Sequence, residues 1–186
     1  MERGRVPLRI VPELAIGDDD APEASSDVET AFRLYSRYVA GVAVRLLGRD
    51  DEVDDVVQDV FLSALRGLRD LRDPGAIRGW LATVTVRVAQ RKLRFRRLRS
   101  FVGLDDAHDY AELVVPGTAA EHRLLLMRVY SALDRVPAEK RIAWTLRYVN
   151  GDDLETIAKM CDCSLATVKR RIAAAHTAVE GMVSDA

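Results

Sequence analysis

Ser164, Thr167, Lys169, Arg170 and Arg171 carry the most legible chemistry in this chain. Their spacing puts hydroxyl and cationic side chains in the first two turns of a helix that opens at Ser164. Guanidinium and ammonium groups donate to phosphate oxygens and to the acceptor edge of guanine, and hydroxyls contact either backbone or bases. A helix that presents such groups near its N-terminus meets the requirement for docking in a DNA major groove. Read without context, the same residues also suit the solvated face of an ordinary helical hairpin.

The surrounding residues supply the elements that would position them. Leu154, Ile157, Ala158 and Cys161 recur at helical intervals and form one apolar face, with Ala158 small enough for a second helix to cross closely. Asp162 and Cys163 make a turn. Ser164 is then placed as an N-cap whose hydroxyl accepts from a first-turn N–H, and Leu165, Val168 and Ile172 form the buried stripe of the second helix. The pattern is that of a helix-turn-helix.

A second cationic group lies upstream. Arg87, Arg91, Lys92, Arg94, Arg96, Arg97 and Arg99 occupy a stretch without a single acid, whereas acids gather at Asp18 to Asp20 and between Asp50 and Asp59. The net charge is −1, so no global field announces a nucleic-acid partner and the argument rests on this local segregation. The basic stretch exceeds what a helix C-terminus needs to offset its dipole, which favours phosphate binding. Arg far outnumbers Lys, and its planar fork binds phosphate bidentately. Arg87, Arg91 and Arg94 are spaced by four and three and so share one helical face. Among the acids, Asp55, Gln58 and Asp59 cluster opposite the apolar positions Val56, Val57, Val60 and Phe61. A merely solvated face would explain the acids, but not the glutamine among them.

Catalysis and metal binding are not expected. His108, His122 and His176 are scattered, no Gly-rich phosphate loop follows a strand, and no ligand spacing marks a metal site. Cys161 and Cys163 alone do not make a structural zinc site and read as small residues at a tight corner. No cofactor is implied. The sequence has no apolar run long enough to span a bilayer and no signal-peptide core, which points to a cytoplasmic protein with no membrane insertion.

Composition is 48% hydrophobic with few aromatics, and the runs of Ala, Leu, Val and Arg predict an all-α fold of two small helical domains. Residues 1–26 read as a flexible leader. The first domain spans 27–99. Its first helix, capped by Asp27, carries Val28, Ala31, Phe32, Tyr35, Val39, Val42 and Leu46 inward and ends at Gly48. A second helix from about Asp51 to Leu68 buries Val53, Val56, Val57, Val60, Phe61, Ala64 and Leu65. A third starts near Ala76 with Ile77, Trp80, Leu81, Val84 and Val88 inward and ends in the basic stretch. Residues 100–120 form a flexible linker. The second domain, 121–186, opens with Leu124, Leu125, Val129 and Leu133, restarts at Pro137, and closes with the helix-turn-helix.

Asp55-Val56-Val57-Gln58-Asp59-Val60-Phe61, Trp80-Leu81, Val136-Pro137-Ala138-Glu139-Lys140-Arg141, Leu146-Arg147-Tyr148, Ile157-Ala158 and Thr167-Val168-Lys169 appear in an order that resembles the extracytoplasmic-function class of bacterial RNA polymerase sigma factors, within the sigma-70 family. The resemblance implies an alternative sigma factor that directs promoter-specific transcription initiation. It implies three partners: core RNA polymerase, promoter DNA and an anti-sigma factor. It assigns Asp55, Gln58 and Asp59 to core-polymerase binding, and Arg87, Arg91, Lys92, Arg94, Arg96 and Arg97 to the minus-ten element. Ser164, Thr167, Lys169, Arg170 and Arg171 fall to the minus-thirty-five element. In the family the loop corresponding to Arg69–Arg78 helps capture flipped bases. Three positions depart from the pattern: Arg87 stands where Asn is common, Arg91 where an acid is common, and Ala174 where Arg is usual. Two other functions compete with this reading. One is a sigma mimic that titrates an anti-sigma factor and has no need for the basic stretches. The other is a helix-turn-helix regulator that never joins polymerase and has no need for Asp55, Gln58 and Asp59.

Overall fold

A computed structural model describes residues 28–71, 73–103 and 120–184. The leader and nearly all of the expected linker lie outside the described residues. Among those described the chain is entirely helical: α1 Val28–Leu47, α2 Val53–Gly67, α3 Ile77–Phe101, α4 Ala120–Asp134, α5 Ala138–Thr145, α6 Leu154–Met160 and α7 Leu165–Ser184.

The first three helices form where the apolar period places them, with boundaries set by local chemistry. α1 stops at Gly48, whose φ of 72° is a left-handed conformation costly to any residue with a Cβ. α2 opens two residues later than expected, with Glu52 in the flanking position, and the chain after it tightens into a 3-10 turn at Leu68–Asp70. Gly67 has a packing role: a Cβ there would lie 2.6 Å from the Trp80 ring. Pro74–Ala76 form a further 3-10 turn leading into α3, which runs through the expected linker start at Ser100 to Phe101.

The buried stripes correct the sequence reading at the margins. Val56, Val60, Phe61, Ala64, Ile77, Leu81, Val84 and Val88 are buried as expected, but Leu65 is 54% exposed and Leu124 is 57% exposed. Both occupy the edge of an apolar stripe, where a helical period cannot tell a core position from a flank. Phe32 is also exposed, although its ring meets Phe61 edge-on at 4.9 Å. Trp80 is half-buried, since it covers the end of α2 instead of filling the centre.

In the second half α4, α5 and α7 enclose Val129, Tyr130, Leu133, Trp144, Ala175 and Val179. Tyr148 links this cluster by stacking on His176, and Trp144 donates from its indole N–H to His176 Nδ1 at 3.3 Å. Pro137 flanks α5 at the position where its missing N–H is harmless. α5 then widens into a π-helical turn, Leu146–Asn150, closed by Gly151 at φ 84° and by a bond from Asp152 N–H to the Leu146 carbonyl.

The two halves share a core, which the domain division in the sequence did not convey. Ile142, Ala143, Leu146, Ile157, Met160, Val168 and Ile172 belong to the same buried cluster as the apolar faces of α1, α2 and α3. Arg141 crosses between them. It is 1% exposed, pairs with Asp134, and donates to the carbonyls of Leu46 at 3.2 Å and Leu47 at 2.6 Å.

Candidate nucleic-acid interface

Local hydrogen bonding shapes the helix-turn-helix. Asp153 caps α6, accepting from Thr156 N–H at 2.7 Å and from the Thr156 hydroxyl at 3.0 Å. These bonds to the charged form hold the Asp153 carboxyl below its usual range. The sequence reading missed this cap, though an Asp three residues before a Thr at a helix start is a visible signal. The corner turns at Asp162, which adopts φ 49°, a left-handed conformation that Asp tolerates better than most residues. Cys163 N–H bonds back to the Ala158 carbonyl. As expected, Ser164 caps α7, accepting from Thr167 N–H at 3.2 Å.

This geometry divides the candidate residues of α7. Lys169 and Arg170 are exposed, along with Ala166 and Ala173. Thr167 is half-buried and shares a hydroxyl contact with Ser164 at 3.0 Å. Arg171 is half-buried as well and turns back to the Cys163 sulfur at 3.4 Å. Lys169 and Arg170 therefore project from the helix, while Arg171 braces the corner. The cysteines are part of that corner: both are free and half-buried. Burial first, and then the neighbouring Cys163, push the Cys161 thiol up to about 11, so it stays protonated at neutral pH.

The basic stretch occupies about the last four turns of α3 and has counter-acids after all, supplied by other parts of the chain. Arg91 meets Asp59 at 3.0 Å and Lys92 meets Asp55 at 3.1 Å. Arg94 Nε donates to Glu139 at 2.8 Å, across the two halves. Arg87 lies 4.0 Å from Asp162 at the helix-turn-helix corner. These four cations are paired at or near the surface, where such pairs contribute about 0–1 kcal/mol each and yield readily to a polyanion. Arg87, Arg91 and Arg94 are exposed along one ridge, as their spacing requires.

Arg96 differs from its neighbours. Its side chain is 12% exposed, makes two bonds to Glu52 at 3.0 and 2.7 Å, and donates to the Leu47 carbonyl at 3.2 Å. Burial alone would raise the Glu52 carboxyl, but the hydrogen bonds and charges of Arg96 and Arg49 hold it below the usual glutamate range. A helical period cannot reveal this distinction, because the partner acid comes from 44 residues away. Arg97 is half-buried beside Arg96. On α2, Asp55 and Gln58 are exposed and Asp59 is partly so, all on the side opposite the buried Val56, Val60 and Phe61. The acids assigned to polymerase and the cations assigned to DNA thus stand side by side. No metal cluster occurs among the described residues, and among them no helix is long and apolar enough to cross a membrane.

The fold and these surfaces define a two-part helical protein with a DNA-docking helix-turn-helix. Residues 31–99 match the family model for Sigma-70 region 2, and residues 126–177 match the model for Sigma-70, region 4. The chain is 30% identical over 162 residues to the ECF RNA polymerase sigma-E factor of Haemophilus influenzae, covering 81% of this chain and 85% of that one. It is also 30% identical over 168 residues to the Escherichia coli ECF RNA polymerase sigma-E factor, covering 83% and 87%. A solved structure of the sigma factor RpoE with the anti-sigma factor NepR from Bartonella quintana shares the fold, with a TM-score of 0.60 and 23% identity over 86% of this chain and 98% of that one. CnrH in complex with the cytosolic domain of CnrY gives a TM-score of 0.58 at 25% identity, covering 85% and 88%. The chain belongs to the ECF sigma factors of RNA polymerase, alternative sigma factors that direct transcription initiation.

Proposed function

We propose that this sigma factor joins core RNA polymerase through Asp55, Gln58 and Asp59 of α2, reads the minus-thirty-five element with the exposed start of α7, and opens the minus-ten element with the ridge Arg87, Arg91 and Arg94 of α3. Lys169 and Arg170 supply the base and phosphate contacts, and Ser164 and Thr167 fix the first turn from which they project. Lys92 joins the ridge once Asp55 is engaged elsewhere, whereas Arg96 serves the fold. Arg97 lies at the edge of the ridge. Opening is local, with unstacked bases held in pockets at a cost of a few kcal/mol.

The observation that carries this reading is the placement of exposed Asp55 against Lys92 and of partly exposed Asp59 against Arg91. A polymerase surface that takes the acids leaves the cations for DNA. The protein is a cytoplasmic binding subunit, not an enzyme, and an anti-sigma factor is its regulatory partner, the kind of protein found with the solved RpoE relative. A sigma mimic would have no use for the exposed Lys169, Arg170 and Arg87 ridge. Charge reversal at both acids, Asp55→Lys with Asp59→Lys, tests the reading. Holoenzyme assembly on a native gel should be lost while helical circular dichroism is kept; normal assembly of the double variant contradicts the assignment.

A further inference from the structure

Between the C-terminal end of α3 and the corner that joins α4 to α5 lies a cavity of about 240 Å³. Four guanidiniums line it, those of Arg96, Arg97, Arg135 and Arg141, against a single carboxylate, Asp134. Asp134 pairs with Arg141, and Glu52, outside the lining, holds Arg96. Arg97 makes no ion pair among the described residues. Acceptors are scarce around this wall. Burial first, and the positive charges of Arg49 and Arg141 as well, press the Arg96 guanidinium below its ordinary value, with only Glu52 opposing them. Arg49, which shares Glu52 with Arg96, keeps its Nη1 buried without a hydrogen-bond acceptor among the described residues.

A concave wall dominated by one sign of charge concentrates the potential and selects an anion. The depth of the charges selects a small one. Arg141 is buried and Arg96 nearly so, whereas the ridge of Arg87, Arg91 and Arg94 stands exposed. A duplex backbone can lie across the ridge but cannot follow the guanidiniums into the cavity. Their planar fork fits phosphate and carboxylate oxygens alike, and a phosphate monoester, with close to two charges at neutral pH, matches a surplus of cations better. The rest of the lining fixes the organic part. Leu93 and Val136 give an apolar surface, Ser100 a hydroxyl, and Phe101, 82% exposed, holds its ring at the mouth. An exposed aromatic face is a stacking platform for a base. The volume lies just below the roughly 300–1,000 Å³ of sites that enclose a whole small molecule, so the cavity takes phosphate and sugar and leaves the base at the mouth.

We propose that this cavity binds a nucleotide, with the phosphate against Arg97 and the cationic wall and the base on the Phe101 ring. This site is independent of the promoter reading above.

Isothermal titration calorimetry of the full chain with adenosine 5′-monophosphate, adenosine 5′-diphosphate, pyrophosphate and uncharged adenosine tests this, with circular dichroism as the folding control. One nucleotide should bind per chain, about tenfold or more tightly than pyrophosphate or adenosine, because only a nucleotide uses both the wall and the ring. Tighter binding of the diphosphate identifies a polyphosphate nucleotide and equal binding a monophosphate; either supports the site. Arg97→Gln should weaken both nucleotides and pyrophosphate about tenfold. Phe101→Ala should weaken the nucleotides about tenfold and leave pyrophosphate unchanged. Neither side chain is part of the core, so both variants should keep their helix content. A folded wild type that binds neither nucleotide would overturn the proposal, as would variants that bind both as the wild type does. Arg91→Gln weakening the nucleotides as much as Arg97→Gln would assign the anion to the exposed ridge and overturn it too.

Discussion

Arg96→Ala distinguishes a cation that builds the fold from one that binds DNA. Its guanidinium makes three charge-assisted bonds, two to Glu52 and one to the Leu47 carbonyl, at an exposure of 12%. Breaking a fully buried pair costs about 3–5 kcal/mol. Glu52 keeps Arg49 at 2.9 Å and has some access to water, so a loss of about 2–3 kcal/mol is the better figure for this site. For a chain of this length each kcal/mol shifts the melting temperature by about 2–4 °C, giving a drop of about 5–10 °C. Arg91→Ala and Arg94→Ala remove surface pairs and should move the melting temperature by no more than about 2–4 °C. The order should reverse in DNA binding by the holoenzyme. Arg91→Ala and Arg94→Ala each lower the slope of log affinity against log salt by roughly one, whereas Arg96→Ala leaves the slope unchanged. Thermal unfolding and salt-dependent binding to a promoter fragment give both quantities. An Arg96→Ala protein as stable as the wild type, with a reduced salt slope, would refute the division.

On α7, Lys169→Ala and Arg170→Ala should weaken minus-thirty-five binding, with about 1–3 kcal/mol of discrimination lost where the contact is to guanine. Arg171→Ala should lower stability with little change in preferred sequence, as read by selection from randomised fragments. Arg87→Asn should change the preferred minus-ten sequence in a randomised-promoter transcription assay, because a guanidinium only donates whereas an amide also accepts; an unchanged preference with weaker opening would mean that Arg87 holds phosphate. The pH dependence of stability should include Glu52. Its folded pKa is depressed, so its contribution is fully present above the ordinary glutamate value and is lost as pH falls through the lower folded one. Glu52→Gln should flatten stability over that acidic window in denaturant titrations.

The helix-turn-helix was legible in the sequence because its determinants are local: a capping serine, an apolar period and a polar corner lie within one short segment. The stripes of α1, α2 and α3 were legible for the same reason, apart from edge positions such as Leu65. What the sequence concealed depends on distant partners. An acid-free run from Arg87 to Arg99 suggests unneutralised charge, yet Asp55, Asp59, Glu52 and Glu139 come to it from other helices. Arg141 belongs to a segment that marked the family, but its burial against α1 follows from tertiary packing that no period encodes. Asp153 is the exception, a local cap readable from the sequence and passed over.

The central claim is that this chain confers promoter choice on core RNA polymerase. Purified core polymerase reconstituted with the full chain and supplied with genomic DNA, followed by sequencing of transcript 5′ ends, tests it most directly. The account predicts starts that appear only with the chain present, share one upstream motif near minus thirty-five and another near minus ten, and vanish with Asp55→Lys and Asp59→Lys together. Transcript ends identical with and without the chain would contradict it.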